Sequence, residues 1–120
     1  MTGDSKCDIL RTGNSQRYSD VVIHSGTAHW VEVAEDIDQP AESQILQVLS
    51  QIDLTLQQIG STRNHLLQIL VYLSDLQNIS ELNRIWDEWV PKGHAPVRAC
   101  VGVQLGSNCL VEMVITAACP

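Results

Sequence analysis

Apolar residues change their period several times along this chain, and each change marks an element. Asp20–His24 and Thr27–Val33 are two β-like runs around Ser25-Gly26, a small-residue pair that suits a hairpin turn. Asp8–Thr12 is a third, shorter candidate, closed by the turn residues Gly13-Asn14-Ser15. Residues 1–7 carry no such pattern and are expected to be loosely ordered. After the acidic stretch Glu35–Gln39 and Pro40, the spacing becomes helical. Ile45, Leu49, Ile52, Leu56 and Ile59 recur at steps of four and three, one face of an amphipathic helix that Gly60 ends. The opposite side is rich in Gln and is expected to be solvated.

His65–Leu73 is apolar at nearly every position, as in a strand covered on both faces. Leu82, Ile85, Trp86 and Trp89 then form the stripe of a second helix, capped at Asn78 or Ser80 and closed by Pro91 and Gly93. Val97–Leu105 and Cys109–Ala118 read as a final hairpin around Gly106-Ser107-Asn108. The order strand, strand, strand, helix, strand, helix, strand, strand predicts one α+β domain over 1–120. Both helices are expected on one face of a mixed sheet. Two helices cannot cover all of the apolar strand surface, which favours self-association.

Composition narrows the function. With 14 acids against seven bases the formal charge is −7, and no basic cluster offers a face for nucleic acid. No apolar run is long enough to span a membrane, and the N-terminal residues lack the apolar core of a secretory signal. Cys7, Cys100, Cys109 and Cys119 have no paired spacing, so a cytoplasmic protein with reduced thiols is expected. His24, His29, His65 and His94 have no metal-binding spacing, and neither a metal nor a cofactor is expected.

One residue departs from its surroundings. Arg98 lies inside the apolar run Val97–Val103, and an arginine there requires an acid or a ligand carboxylate, which its guanidinium fork fits. If Leu105 pairs with Cys109 in the final hairpin, Arg98 and Glu112 fall on one face, about 13 Å apart at the usual strand rise. A small ligand or a neighbouring subunit would bridge them. The structural alternative for Glu112 is an ion pair with Arg63 or Arg84.

His94-Ala95-Pro96-Val97-Arg98-Ala99-Cys100-Val101 followed by Leu110–Ala118 resembles the C-terminal part of the Rid/YjgF family. Arg17–His24 and Asn83–Trp89 also look like family segments, and the likeness is nearer to the small YoaB-like members than to RidA. The resemblance implies a chorismate-mutase-like fold, assembled as a homotrimer with the sheets around a central axis and the helices outside. It implies a deaminase that hydrolyses 2-imino acids such as 2-iminopropionate, or the enamine 2-aminoacrylate, to 2-oxo acids and ammonia. In that reading Arg98 holds the substrate carboxylate and Glu112 positions water. Tyr18, Asn83 and Cys100 match positions around the substrate cleft at a subunit interface. Cys100 is expected to pack rather than attack, since no His is placed to activate it. Asn83 is expected to fix a loop or a subunit contact.

One match departs from the family. A small residue and a Gly usually precede the first helix, where this chain carries Val31-Glu32. Ser25-Gly26 looks like the missing pair but reads as the preceding turn. Glu32 is expected either to reach toward Arg98 across a subunit boundary or to point to solvent. The competing function is a non-catalytic trimer that binds or senses a small molecule.

Overall fold

The computed structural model describes residues 8–120; Cys7 and the rest of the 1–7 segment lie outside the described residues. Six strands form one sheet in the order β1-β2-β3-β6-β4-β5. They are β1 (Leu10–Arg11), β2 (Val22–His24), β3 (Thr27–Val33), β4 (Leu66–Leu73), β5 (Val97–Gly102) and β6 (Val111–Ala118). Helices α1 (Ala41–Gln58) and α2 (Ile79–Trp89) cover one face. All neighbouring strands are antiparallel except β4 and β5, which run parallel.

Local chemistry explains the turns. Ser25 and Gly26 both have positive φ (51° and 78°), which joins β2 to β3 by a tight hairpin whose twist suits the strands. Gly60 follows α1 at φ 76°, a left-handed conformation that ends a helix at little cost to glycine. Gly13 has φ 105°, and a Cβ there would meet the Asp20 carboxyl carbon at 2.8 Å.

The final hairpin does not form. β5 pairs with β4, and β4 stands between β5 and β6. The residues around Gly106-Ser107-Asn108 instead straddle the end of β4. Val103 donates its amide to Leu73 O at 3.0 Å, and Ser74 donates to Leu110 O at 3.1 Å. The turn signal is real, since Cys109 N bonds Gly106 O at 3.1 Å. The error lies in pairing two strands because a turn separates them. β4, α2 and β5 form a strand–helix–strand unit, and its parallel strands are adjacent.

The core lies between the helices and the sheet. Ile45, Leu49, Ile52 and Leu56 of α1 and Leu82, Ile85, Trp86 and Trp89 of α2 are buried against Ile69, Val71, Met113 and Ile115. The other face of the sheet is open. Val97 is 66%, Val31 53%, Val101 45% and Val33 41% exposed, so β4 is covered on one face only within a single chain.

The Gln-rich side of α1 is also not simply solvated. Gln44 is fully buried. Its Nε2 donates to the carbonyls of Ile37, Gln39 and Asn108 at 2.9–3.1 Å, and its Oε1 accepts from Leu110 N at 2.9 Å. Gln47 and Gln51 bond the backbone of Asp36, Glu35 and Val33. These amides hold the β3–α1 loop and the start of β6 to one helix. Gln44→Leu keeps the volume but leaves buried backbone groups unpaired, so it should destabilise the fold by about 3 kcal/mol. Urea titration checks this, and a loss below about 1 kcal/mol would show that water replaces the amide.

Candidate functional site

Hydrogen-bonded partners across a sheet point to the same side, so the register assigns each candidate to a face. Trp30, Ile115, Ile69 and Arg98 form one row across β3, β6, β4 and β5. Glu32, Met113, Val71 and Cys100 form a second. Both rows face the helices, because Ile69, Val71, Met113 and Ile115 are core residues. Val33, Glu112, Tyr72 and Val101 form a row on the open face. Arg98 and Glu112 therefore lie on opposite faces, which corrects the expectation drawn from the hairpin.

Arg98 reaches from the edge strand over the end of the core. Its Nη2 donates to Asn83 Oδ1 at 2.8 Å, and its guanidinium carbon lies 5.2 Å from the centre of the Trp86 ring. Within one chain Asn83 thus holds Arg98 itself. Among the described residues no carboxylate lies within ion-pairing distance of Arg98. The other two arginines that touch the helices are committed. Arg63 forms a two-pronged pair with Asp53, and Arg84 binds Glu81 and Glu42. Neither reaches Glu112, which removes its expected structural partners. Cys100 lies two residues beyond Arg98 on the same side and packs against the core. Burial pushes its thiol up, outweighing the nearby Arg98 charge that favours the thiolate. That environment suits packing better than nucleophilic attack.

The remaining candidates gather at the other end of the helix-side rows, three strand spacings or about 14 Å away. β2 stops pairing at Val22–His29, which leaves the outer edge of Trp30–Val33 without a strand neighbour. A cavity of about 840 Å³ opens there between β3, the end of α1 and the 12–21 loop. Tyr18, Val31 and Glu32 all line it. Within one chain the predicted site is therefore in three parts. Tyr18, Val31 and Glu32 share the cavity; Arg98, Asn83 and Cys100 share the β5 edge; Glu112 stands apart on the open face.

Glu32 follows neither expected course. Its carboxylate accepts from Gln51 Nε2 at 3.2 Å and from Thr55 Oγ1 at 3.1 Å, both on α1 of its own chain. Half-burial pushes its carboxyl up. Hydrogen bonds from Gln51 and Thr55 and the nearby Trp30 indole pull the other way, and the charge of Asp20 adds to the rise. Nothing in the sequence pattern foretold this tie, because it joins a strand to a helix face read as solvated. Among the described residues no group of three or more His, Cys, Asp or Glu could hold a metal ion. Among the described residues no helix is long and apolar enough to cross a membrane.

This arrangement can be set beside known proteins. The family model of Endoribonuclease L-PSP matches residues 13–119. The RutC family protein YoaB of Escherichia coli K12 is 39% identical over 111 residues, covering 92% of this chain and 97% of that protein. Among solved structures, NMB1025 of Neisseria meningitidis, a member of the YjgF family, superposes with a TM-score of 0.90 at 37% identity, covering 96% of this chain and 98% of that one. A protein of Salmonella typhimurium described as a putative translation initiation inhibitor gives 0.85 at 39% identity, covering 92% and 96%. The chain belongs to this Endoribonuclease L-PSP family, the YjgF/RutC group, and has its fold.

A carboxyl whose pKa rises on folding stabilises the native state only while it is protonated. At pH 7 ionised Glu32 is a net cost, and the cost fades as pH falls through its raised pKa toward the ordinary value of 4.5. Glu32→Gln should raise Tm at pH 7 and lose that advantage by about pH 4. Calorimetry at the two pH values checks this; a variant destabilised at pH 7 would mean that the hydrogen bonds to α1 outweigh burial.

Proposed function

We propose that this protein hydrolyses small 2-imino acids, of the 2-iminopropionate or 2-aminoacrylate type, at a site completed between the subunits of a homotrimer. The observation that carries this reading is Arg98. It is held by Asn83 and Trp86 with no carboxylate paired to it, and its fork is suited to a ligand carboxylate. The open face supplies the reason to assemble, since its exposed valines form an apolar surface that a second copy would cover. In a ring of subunits the β5 edge of one chain meets the β3 edge of the next. Arg98, Asn83 and Cys100 then come beside the neighbour's cavity with Tyr18, Val31 and Glu32. Glu112, on the open face, looks into a subunit boundary.

The chemistry asks little beyond position. Arg98 anchors the carboxylate and so aligns the imine carbon with a water. The water oxygen bonds to that carbon while one water proton passes through Glu112 to the nitrogen; the proton of the new hydroxyl follows as the carbonyl forms and the carbon–nitrogen bond breaks. The products are the 2-oxo acid and ammonia, and the step uses no cofactor. The charge of −7 and the scattered bases support a small substrate over RNA. A cytoplasmic location fits enzymes that release such imines there.

A second reading keeps the trimer and the ligand but not the turnover. It is favoured by Glu32, a bulky acid where the family usually has Gly, and would make the protein a binder or sensor. Freshly generated 2-iminopropionate separates the two. The wild type should hydrolyse it, and both Arg98→Ala and Arg98→Lys should lower kcat/KM by about 10- to 100-fold, since a lysine cannot copy the fork. Equal kinetics in Arg98→Lys would make Arg98 structural; no hydrolysis by the wild type would favour the sensor. Light scattering should give three copies per particle, and a monodisperse monomer would remove the shared site.

A further inference from the structure

The cavity at the β3 edge has a charge pattern that an anion-binding pocket would not need. Its walls are largely apolar or aromatic: Tyr18, Val21, Ile23, Trp30, Val31, Val33 and Ile59. The charged residues that line it are Asp20 and Glu32, both acidic, and among the described residues of the same chain no Lys, Arg or His joins them. Glu32 receives one hydrogen bond on each oxygen. A carboxylate accepts about four, so capacity remains on both oxygens. The two donors that hold it are neutral groups of α1, so its charge has no counter-ion there.

A second observation points to a missing partner. Trp30 is 5% exposed, and its indole N–H is a buried donor without a hydrogen-bond partner among the described residues. It lies on the cavity wall two residues before Glu32, on the same side of β3. It is near enough to favour the charged form of Glu32 without reaching hydrogen-bond geometry. Buried donors are nearly always satisfied, by protein, water or ligand. A ligand that offers Glu32 a cationic nitrogen and Trp30 an acceptor would complete both groups. The ring of Tyr18, exposed at the cavity, also favours a cation over an anion.

We propose that this cavity selects its ligand by a cationic nitrogen, with Glu32 as counter-ion and the apolar wall taking the ligand's body. The class is a small organic ammonium or protonated imine with a hydrogen-bond acceptor nearby. This rests on the reading that the same cavity receives the substrate. It narrows that substrate to molecules whose nitrogen, rather than a second carboxylate, enters this part of the site. Glu32 then sets specificity and does not block the pocket, because its side chain is already tied back to α1.

The test uses three probes of one shape on the intact protein by titration calorimetry. Phenylalaninol is a cation with a hydroxyl acceptor, 3-phenylpropanol lacks the amine, and 3-phenylpropionate is an anion. Phenylalaninol should bind at least about tenfold more tightly than 3-phenylpropanol, and 3-phenylpropionate more weakly than either once Arg98→Ala removes the carboxylate anchor of the neighbouring subunit. Glu32→Gln should abolish the preference for the cation while leaving 3-phenylpropanol unchanged. Equal binding of cation and neutral probe, tighter binding of the anion in Arg98→Ala, no binding of any probe, or a preference that survives Glu32→Gln would overturn the proposal. The wild-type ranking decides the matter if Glu32→Gln does not fold. Hydrolysis of 2-iminopropionate, assayed in parallel, keeps the two readings apart. Glu32-dependent cation binding without hydrolysis removes the enzyme and keeps the cation site. Hydrolysis without cation preference does the reverse.

Discussion

The register of β6 governs the molecule. This strand pairs with β3 along one edge and β4 along the other, so beyond the irregularity at Leu66–Gln68 one pleat runs from β3 through to β5. Because side chains alternate across that pleat, a single parity decides who faces the helices and who faces out. Burial of Ile69, Val71, Met113 and Ile115 locks the parity, since a slip of one residue would turn that whole set to water. Arg98, Cys100 and Glu32 are carried to the helix side as passengers of the same constraint. Glu112 is carried to the other.

The position of each group follows from what the helices then offer it. Arg98 lands beside Asn83 and Trp86 on α2, which supply an oxygen and a π face but no negative charge. Glu32 lands beside Gln51 and Thr55 on α1, which supply hydrogen bonds but no positive charge. Each is held in place by neutral groups and left uncompensated as a charge within one chain. Arg63 and Asp53 show the contrast: they meet each other, and Trp89 adds an indole N–H to the same carboxylate. That cluster is complete in itself and serves to tie α1 to the end of α2.

Three strand spacings separate Arg98 from the cavity, so the proposed site needs residues from two chains. Cyclic assembly solves this geometry naturally, because a heterologous edge-to-edge contact in a closed ring repeats the same junction at every boundary. The apolar open face and the unpaired outer edge of Trp30–Val33 are the surfaces such a ring would use. The family to which the chain belongs supplies the fold on which that junction is proposed.

Much of the fold was legible in the chain because it depends on local chemistry. The helix stripes at Ile45–Leu56 and Leu82–Trp89, the Ser25-Gly26 hairpin and the Gly60 stop all follow from period and turn preference. Arg98 stood out because a guanidinium in an apolar strand is costly without a partner. Three things were not legible. The pairing of β5 with β4 rather than β6 was hidden by a genuine turn at Gly106–Asn108, since turn chemistry says that a chain reverses and not which strand it returns to. The burial of Gln44 was hidden because an amide looks solvated until carbonyls of the preceding loop and of distant Asn108 converge on it. The faces of Arg98 and Glu112 were hidden because parity is inherited through β4, which no local pattern links to either. Sequence alone determined the elements and the uncommon charges within them; only the tertiary structure decided which charges meet, because contact across a sheet is set by register and not by distance along the chain.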